Sequence, residues 1–359
     1  MIESKELIKK ISRPEPDGSM RSGIFRFDRN ERTTLFSNSE FNDMLATLTP
    51  YDFVAYGELE PFYEKITEWL GLKRENVLLT SGSDSGIKAV FEAFVDKGDK
   101  VLNLLPNYAM FSEYTKMFGG GENKVFYEND LALDVDGFLN NIDSNTKLVI
   151  ISNPGHTGTV VEESDLVRIT EAACNSDALM LLDEAYYHFY PKSMIGYINQ
   201  FDNLVITRTF SKAFGLASLR IGLLIGCKEV IRELYRVKIV HEITGVAAKI
   251  GTYMLNNMQI MDNYVEQVNE SKEIFYELLG LLDFKVLKSC ANFVYFKTPS
   301  TINAEELILE LQKEKIFIKG PFNNHPFDGH CRITVGDVNQ TRMLCGEIKR
   351  IISRRESLK

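Results

Sequence analysis

"TRTFSKAFGLASLRIG", residues Thr207 to Gly222, holds a single lysine, Lys212, among small, hydroxyl and apolar residues, with Arg220 eight positions on. A lysine on a solvated helix face ordinarily has polar neighbours, and this one does not. On local composition a structural role and a chemical one stand level. What surrounds the stretch decides between them.

Around it, the apolar runs Asn76–Thr80, Lys100–Leu105, Leu148–Ser152, Ala178–Leu182, Leu204–Thr207 and Ile221–Ile225 alternate with amphipathic segments. That alternation predicts a mostly parallel sheet covered by helices. After the first run, Ile87, Val90, Phe91 and Phe94 recur at helical spacing, so the turn "SGSDSG" opens a helix. The proline-free segment from about Lys228 to Leu279 reads as helical. Beyond it, Phe284–Leu287, Asn292–Lys297 and Arg332–Val335 read as strands, and Glu305–Lys313 and Arg342–Ile352 as amphipathic helices, a smaller α+β unit. At the other end Glu3–Ile11 reads as a short helix and "SRPEPDGSMRSG" as irregular. The expected organisation is an arm over residues 1–31 that packs with the small domain or a partner, a large domain over 32–240, and a small α+β domain over 241–359 that includes the connecting helix.

Composition narrows the function. At 359 residues, two domains are expected. The net charge of −9 shows no basic stripe, which argues against nucleic-acid binding. No apolar run approaches the ~18 residues of a membrane span, and "MIESKELIKK" lacks a signal peptide's apolar stretch. The five cysteines, Cys174, Cys227, Cys290, Cys331 and Cys345, form no CxxC pair. Free thiols in a cytoplasmic protein are expected, with no metal site.

In an open parallel sheet, ligands sit beyond the carboxyl ends of the strands. The residues just past each run are therefore the candidates: Ser81 to Asp84, Pro106 to Tyr108, Asn153-Pro154, Asp183-Glu184 and Thr209 to Lys212. The turn at Ser83 and Asp84 offers free backbone N–H groups at a helix N-terminus, which suits a phosphate. Asp183, at the end of a buried strand, needs a cationic partner such as a protonated heteroaromatic nitrogen, and Tyr186 can reach the same ligand. A lysine in a partly desolvated pocket has a lowered pKa and forms a Schiff base with an aldehyde, which is the chemical reading of Lys212. Ser211 and Arg220 can meet a phosphate, and Tyr108 can stack on a ring. Each feature has a bland reading as cap, salt bridge or turn. Together, on successive strand ends, they describe a site for pyridoxal 5′-phosphate.

The chain resembles the fold-type I pyridoxal-phosphate enzymes, and within them the histidinol-phosphate aminotransferases. The likeness runs through "FDRNER", "AYGELEPFYEKI", "VLLTSGSDSGI", "GDKVLNLLPNYAMF", "LMLLDEAYYHF", "TRTFSKAFGLASLRIG", "ANFVYF" and "CRITVG". It implies a large domain with a mostly parallel seven-stranded sheet sandwiched by helices, plus a smaller α+β domain. By the same likeness Lys212 carries the cofactor and moves the substrate α-proton, Asp183 pairs with the ring nitrogen and Tyr186 bonds the ring hydroxyl. Tyr108 stacks on the ring, while Ser83, Asp84, Thr209, Ser211 and Arg220 hold the phosphate. Tyr56 reaches the phosphate of the partner subunit's cofactor, so a homodimer with shared sites is implied. Arg332 clamps the substrate carboxylate, and Lys319 and Asn30 also face the substrate.

Three stretches depart from the family pattern. "NPGHTG", Asn153 to Gly158, is one residue short, with Gly155 or His156 where an asparagine contacts the ring hydroxyl. Asn153 is left as the substitute for that contact. His156 is open to a contact with cofactor or substrate, with a structural role favoured. Lys319 stands where an arginine is usual, and "KIVHEITGVAAKIG" where a proline- and asparagine-containing stretch is expected. The implied activity is an aminotransferase acting between a small phosphorylated or acidic amino compound and a 2-oxo acid. The alternatives are a decarboxylase of an O-phospho amino acid and, more remotely, a non-catalytic cofactor-binding regulator.

Overall fold

Strand β2 (Val77–Ser81) opens the main sheet of the computed structural model, which describes residues 2–11 and 21–356. It follows the short β1 (Phe25–Phe27) and precedes β3 (Lys100–Leu105), β4 (Gly121–Phe126), β5 (Thr146–Ser152), β6 (Leu179–Asp183), β7 (Leu204–Thr209) and β8 (Ile221–Gly226). Seven of these form one sheet in the order β2-β8-β7-β6-β5-β3-β4. Only β8 runs antiparallel to its neighbours. Both faces of the sheet are buried. Leu148 and Ile150 of β5 join one apolar cluster and Val149 and Ile151 the other, which is why these strands read as unbroken apolar runs.

Strand β4 was not placed by the sequence. Its residues "GENKVF" occupy the sheet edge, with no fully buried position, so no apolar run marks them. The segment read as helical from Lys228 to Leu279 divides into three helices, Lys228–Val237, Gly245–Asn256 and Gln259–Gly280. The first break begins at Lys238, whose backbone is extended, and ends where the Thr244 hydroxyl accepts from the Ala247 N–H to cap the next helix. No proline is needed for the break. Gly245 packs on Gly57, where an added Cβ would lie 2.7 Å from the Gly245 nitrogen.

The C-terminal part carries β9 (Lys285–Leu287), β10 (Phe293–Lys297), β11 (Ile316–Ile318) and β12 (Cys331–Thr334). Strands β12-β10-β9 form an antiparallel sheet, and β11 pairs in parallel with β1, which ties the start of the chain to this unit. The helix Gly245–Asn256, which the sequence grouped with the small unit, lies against helix Glu60–Leu70 and β8 of the large one. The short helix near the start spans Glu6–Lys9. Most of the stretch read as irregular, residues 12–20, lies outside the described residues.

Candidate active site

The carboxyl ends of the parallel strands deliver their residues into one cleft of about 400 Å³, within the ~300–1,000 Å³ range of small-molecule sites. Ser83, Asp84, Tyr108, Asp183, Tyr186, Thr209, Ser211, Lys212 and Arg220 line it from the large unit, and Asn30, Lys319 and Arg332 from the opposite side.

The phosphate end depends on two glycines. Gly82 starts the helix Gly82–Phe94 with φ +71, and a Cβ there would lie 2.3 Å from Arg220 Nη2. At Gly222 a Cβ would meet the Gly82 carbonyl carbon at 2.2 Å. With both side chains absent, β8 seats the Arg220 guanidinium against the helix N-terminus. Arg220 itself adopts a left-handed backbone (φ 53), and its carbonyl accepts from the Gly82 N–H at 2.9 Å. Beside it the Thr209 hydroxyl donates to Ser211 Oγ at 3.0 Å. Helix dipole, hydroxyls and guanidinium together fit a phosphate dianion.

Asp183 ends β6 and is 4 % exposed. Burial pushes its carboxyl up to about 6, against the pull of the Ala185 N–H, which donates to Oδ1 at 3.0 Å, and of the Lys212 charge. A carboxylate so poorly solvated fits a protonated ring nitrogen. The same burial, reinforced by Arg332, lowers the Lys212 ammonium to about 8. About a tenth of that amine is therefore neutral near pH 7, far more than for an ordinary lysine, as a Schiff-base nucleophile requires. Tyr186 is held by Asn30, whose amide Nδ2 donates to the phenol oxygen at 2.9 Å. Asn30 is in turn fixed by its left-handed backbone and by Thr334, whose Oγ1 accepts the Asn30 N–H at 2.8 Å.

Two predicted contacts are not brought to the cleft. The Asn153 amide turns away: Oδ1 accepts from the Val161 N–H at 2.8 Å and Nδ2 donates to the Val161 carbonyl at 3.2 Å. Its side chain closes the shortened loop and is not free for a ring hydroxyl. Tyr56 is 76 % exposed and stacks on His241 at 3.9 Å, outside the cleft of its own chain. Conversely His156, favoured above as structural, lines the cleft, as do Arg29, Asn107, Ala185 and Phe322. Asn107 and Ala185 had a signal, since each follows a strand end. Arg29 and Phe322 had none, because a loop between β11 and β12 and a turn after β1 bring them in.

Fold and cleft together define a pyridoxal 5′-phosphate enzyme of the large-plus-small-domain kind. Comparison with known proteins agrees. The family model for aminotransferase class I and II matches residues 23–348, and the chain belongs to that family. It is a pyridoxal-phosphate-dependent aminotransferase. It is 32% identical to histidinol-phosphate aminotransferase of Caldanaerobacter subterraneus subsp. tengcongensis, covering 82% of this chain and 83% of the relative. The corresponding protein of Clostridium novyi is 31% identical over 88% of each chain. In fold it resembles histidinol-phosphate aminotransferase from Sinorhizobium meliloti, solved with pyridoxal 5′-phosphate, at a TM-score of 0.83 and 21% identity over 93% of this chain and 91% of that one. L-threonine-O-3-phosphate decarboxylase from Porphyromonas gingivalis shares the fold at 0.76 and 19% identity, over 90% and 99% of the two chains. Among the described residues no helix is long and apolar enough to cross a membrane.

Proposed function

We propose that this aminotransferase takes a small amino compound bearing an oxyanion, phosphate or carboxylate, as donor and a 2-oxo acid as acceptor. The observation that carries the reading is Arg332. Its guanidinium carbon lies 5.4, 5.9 and 5.7 Å from the ring centroids of Phe293, Tyr295 and Phe322; Nη2 donates to the Asp28 carbonyl at 3.4 Å, Nε is buried and unpartnered, and among the described residues no carboxylate pairs with it. Lys319 faces it across a bridge in which each backbone N–H donates to the other's carbonyl, at 3.0 and 2.7 Å. Residues so paired project to the same side, and like charges there repel. An oxyanion between them relieves that repulsion.

When bound, pyridoxal 5′-phosphate supplies an aldehyde for the amine and a conjugated ring that accepts the electron pair left at the α-carbon. Ser83, Asp84, Thr209, Ser211 and Arg220 hold its phosphate. Asp183 holds the proton at the ring nitrogen, and Tyr186, positioned by Asn30, faces the ring hydroxyl. Tyr108 forms the stacking wall; its hydroxyl donates to Asp84 Oδ1 at 3.3 Å. Lys212 Nζ would hold the aldehyde and, as a free amine, would take the α-proton of the substrate. Arg332 and Lys319 orient the donor. The active form is a homodimer in the cytoplasm, with Tyr56 completing the partner's site.

The test is a spectroscopic screen of the holoenzyme against amino acids, amino alcohol phosphates (histidinol phosphate among them) and O-phospho amino acids. A donor that converts the aldehyde form to the amine form, reversed by a 2-oxo acid, is expected. Carbon dioxide release from phosphoserine or phosphothreonine without any oxo-acid requirement would point to decarboxylation and sink the aminotransferase reading.

A further inference from the structure

We propose that His156 is a specificity-determining residue of the amino-transfer site, donating an imidazole N–H to the substrate oxyanion whose charge Arg332 carries. The proposal rests on the reading above that the donor bears an oxyanion.

Four observations support it. First, the imidazole is placed and not loose. The ring lies nearly parallel to Tyr108 (centroids 5.9 Å, 16°) and edge-on to Tyr186 (5.7 Å, 76°). Behind it the loop is pinned by the Asn153 amide on Val161, by the Gly158 N–H on the Gly155 carbonyl (2.9 Å) and by the Cys290 N–H on the Gly158 carbonyl (2.7 Å). Second, among the described residues no hydrogen bond engages its ring nitrogens. A structural histidine at this depth is ordinarily hydrogen-bonded, because an unmade bond in a partly desolvated place is costly.

Third, burial, with the charges of Arg332 and Lys212, lowers the imidazole to about 3. It is neutral at working pH and offers one N–H donor and one acceptor. The carboxylates of Asp183 and Glu31 oppose the lowering at Lys212. Fourth, His156 is tied to Arg332 through one side chain. The Tyr295 hydroxyl donates to the His156 carbonyl at 3.1 Å, and the Tyr295 ring is one wall around the Arg332 guanidinium. An oxyanion on Arg332 leaves an oxygen toward this side, where the imidazole is the free donor. Position 155 offers no alternative, since a Cβ there would lie 2.9 Å from the Tyr127 hydroxyl.

Wild-type holoenzyme, His156→Phe and His156→Asn are titrated with succinate in one arm and inorganic phosphate in the other, following the cofactor's absorbance band. Phe keeps a ring beside Tyr108 and loses the donor; Asn restores a donor. A hydrogen bond to a charged group corresponds to about a ten- to hundred-fold loss of affinity in the Phe variant for whichever oxyanion the wild type prefers. KM for the amino donor rises in step while kcat changes by less than about threefold, the signature of lost ground-state binding. The Asn variant recovers part of the affinity. The pH titration of the band without ligand stays the same. Equal affinity in wild type and Phe variant overturns the assignment, as does a shifted band titration with unchanged oxyanion binding. Binding of neither oxyanion by the wild type overturns the substrate reading itself. If the Phe variant does not retain cofactor, His156→Leu serves as the donorless comparison. The preferred arm reports which oxyanion the Arg332 and His156 pair holds better.

Discussion

Lys212 and Asp183 are pushed toward neutrality by the same burial, in opposite directions along the pH scale. For Lys212 the neutral amine grows as pH rises through about 8. Capture of added pyridoxal 5′-phosphate by apoenzyme is therefore expected to quicken over that range, read from the growth of the lysine-linked band. Lys212→Ala abolishes both the band and turnover, while noncovalent cofactor binding persists. Retained turnover refutes the assignment. Asp183 gives a second prediction. Its native pKa, about 6, lies above the unfolded value of 3.8, so the native apoprotein binds the extra proton between them. Stability contributed by the protonated form is full below about pH 4 and is lost as pH rises through about 6, a cost on the order of 2–3 kcal/mol. Asp183→Asn apoprotein is expected to be more stable than wild type at pH 7 and equal to it near pH 4, by urea unfolding, yet to turn over far more slowly. At this scale the sequence was informative wherever a residue ended a strand. It did not show that the Asn153 amide turns to Val161 or that the His156 ring lines the cleft, because which side chain of a six-residue loop faces inward depends on backbone dihedrals and not on composition.

Strand β8 and the helix that opens at Gly82 meet without side chains, and that contact aims Arg220. Gly222→Ala places a Cβ 2.2 Å from backbone, where no rotamer change relieves it. The strand and the turn must separate. The expected result is a folded protein that loses cofactor on dialysis, seen as disappearance of its absorbance; retention at wild-type affinity overturns the phosphate cradle. Six main-sheet strands were legible because a sheet covered on both faces demands apolar residues at every position. Edge strand β4 escaped because one side of it meets water. The breaks between Lys228 and Leu279 escaped because no proline marks them. The helix from Gly245 starts where Thr244 caps it and Gly57 admits its backbone.

Tyr51, Phe53, Val54, Tyr56, Ile239 and Val240 are exposed, and Tyr51, Tyr56 and Gly57 line another concavity. We propose that a second copy covers this face and that Tyr56 enters its cleft. Mixing Lys212→Ala subunits with Tyr56→Ala subunits then yields mixed dimers with one site holding both an intact lysine and an intact tyrosine. Activity that neither parent shows is expected after subunit exchange. Two inactive parents whose mixture stays inactive would falsify sharing. The lysine, the aspartate, the strand-end order and the glycine turn were all present in the primary structure, because each is a local demand: an apolar run followed by a polar residue that needs a ligand. The side of the cleft opposite them was read only in part, with Arg332, Lys319 and Asn30 implied by the family resemblance alone and His156 left open. Arg332, Lys319, Asn30 and His156 come from separate parts of the chain, and their meeting depends on how β12 bridges Lys319, how Asn30 reaches Tyr186, and how the Asn153 loop folds back. Those are long-range packing choices, and no stretch of sequence expresses them alone.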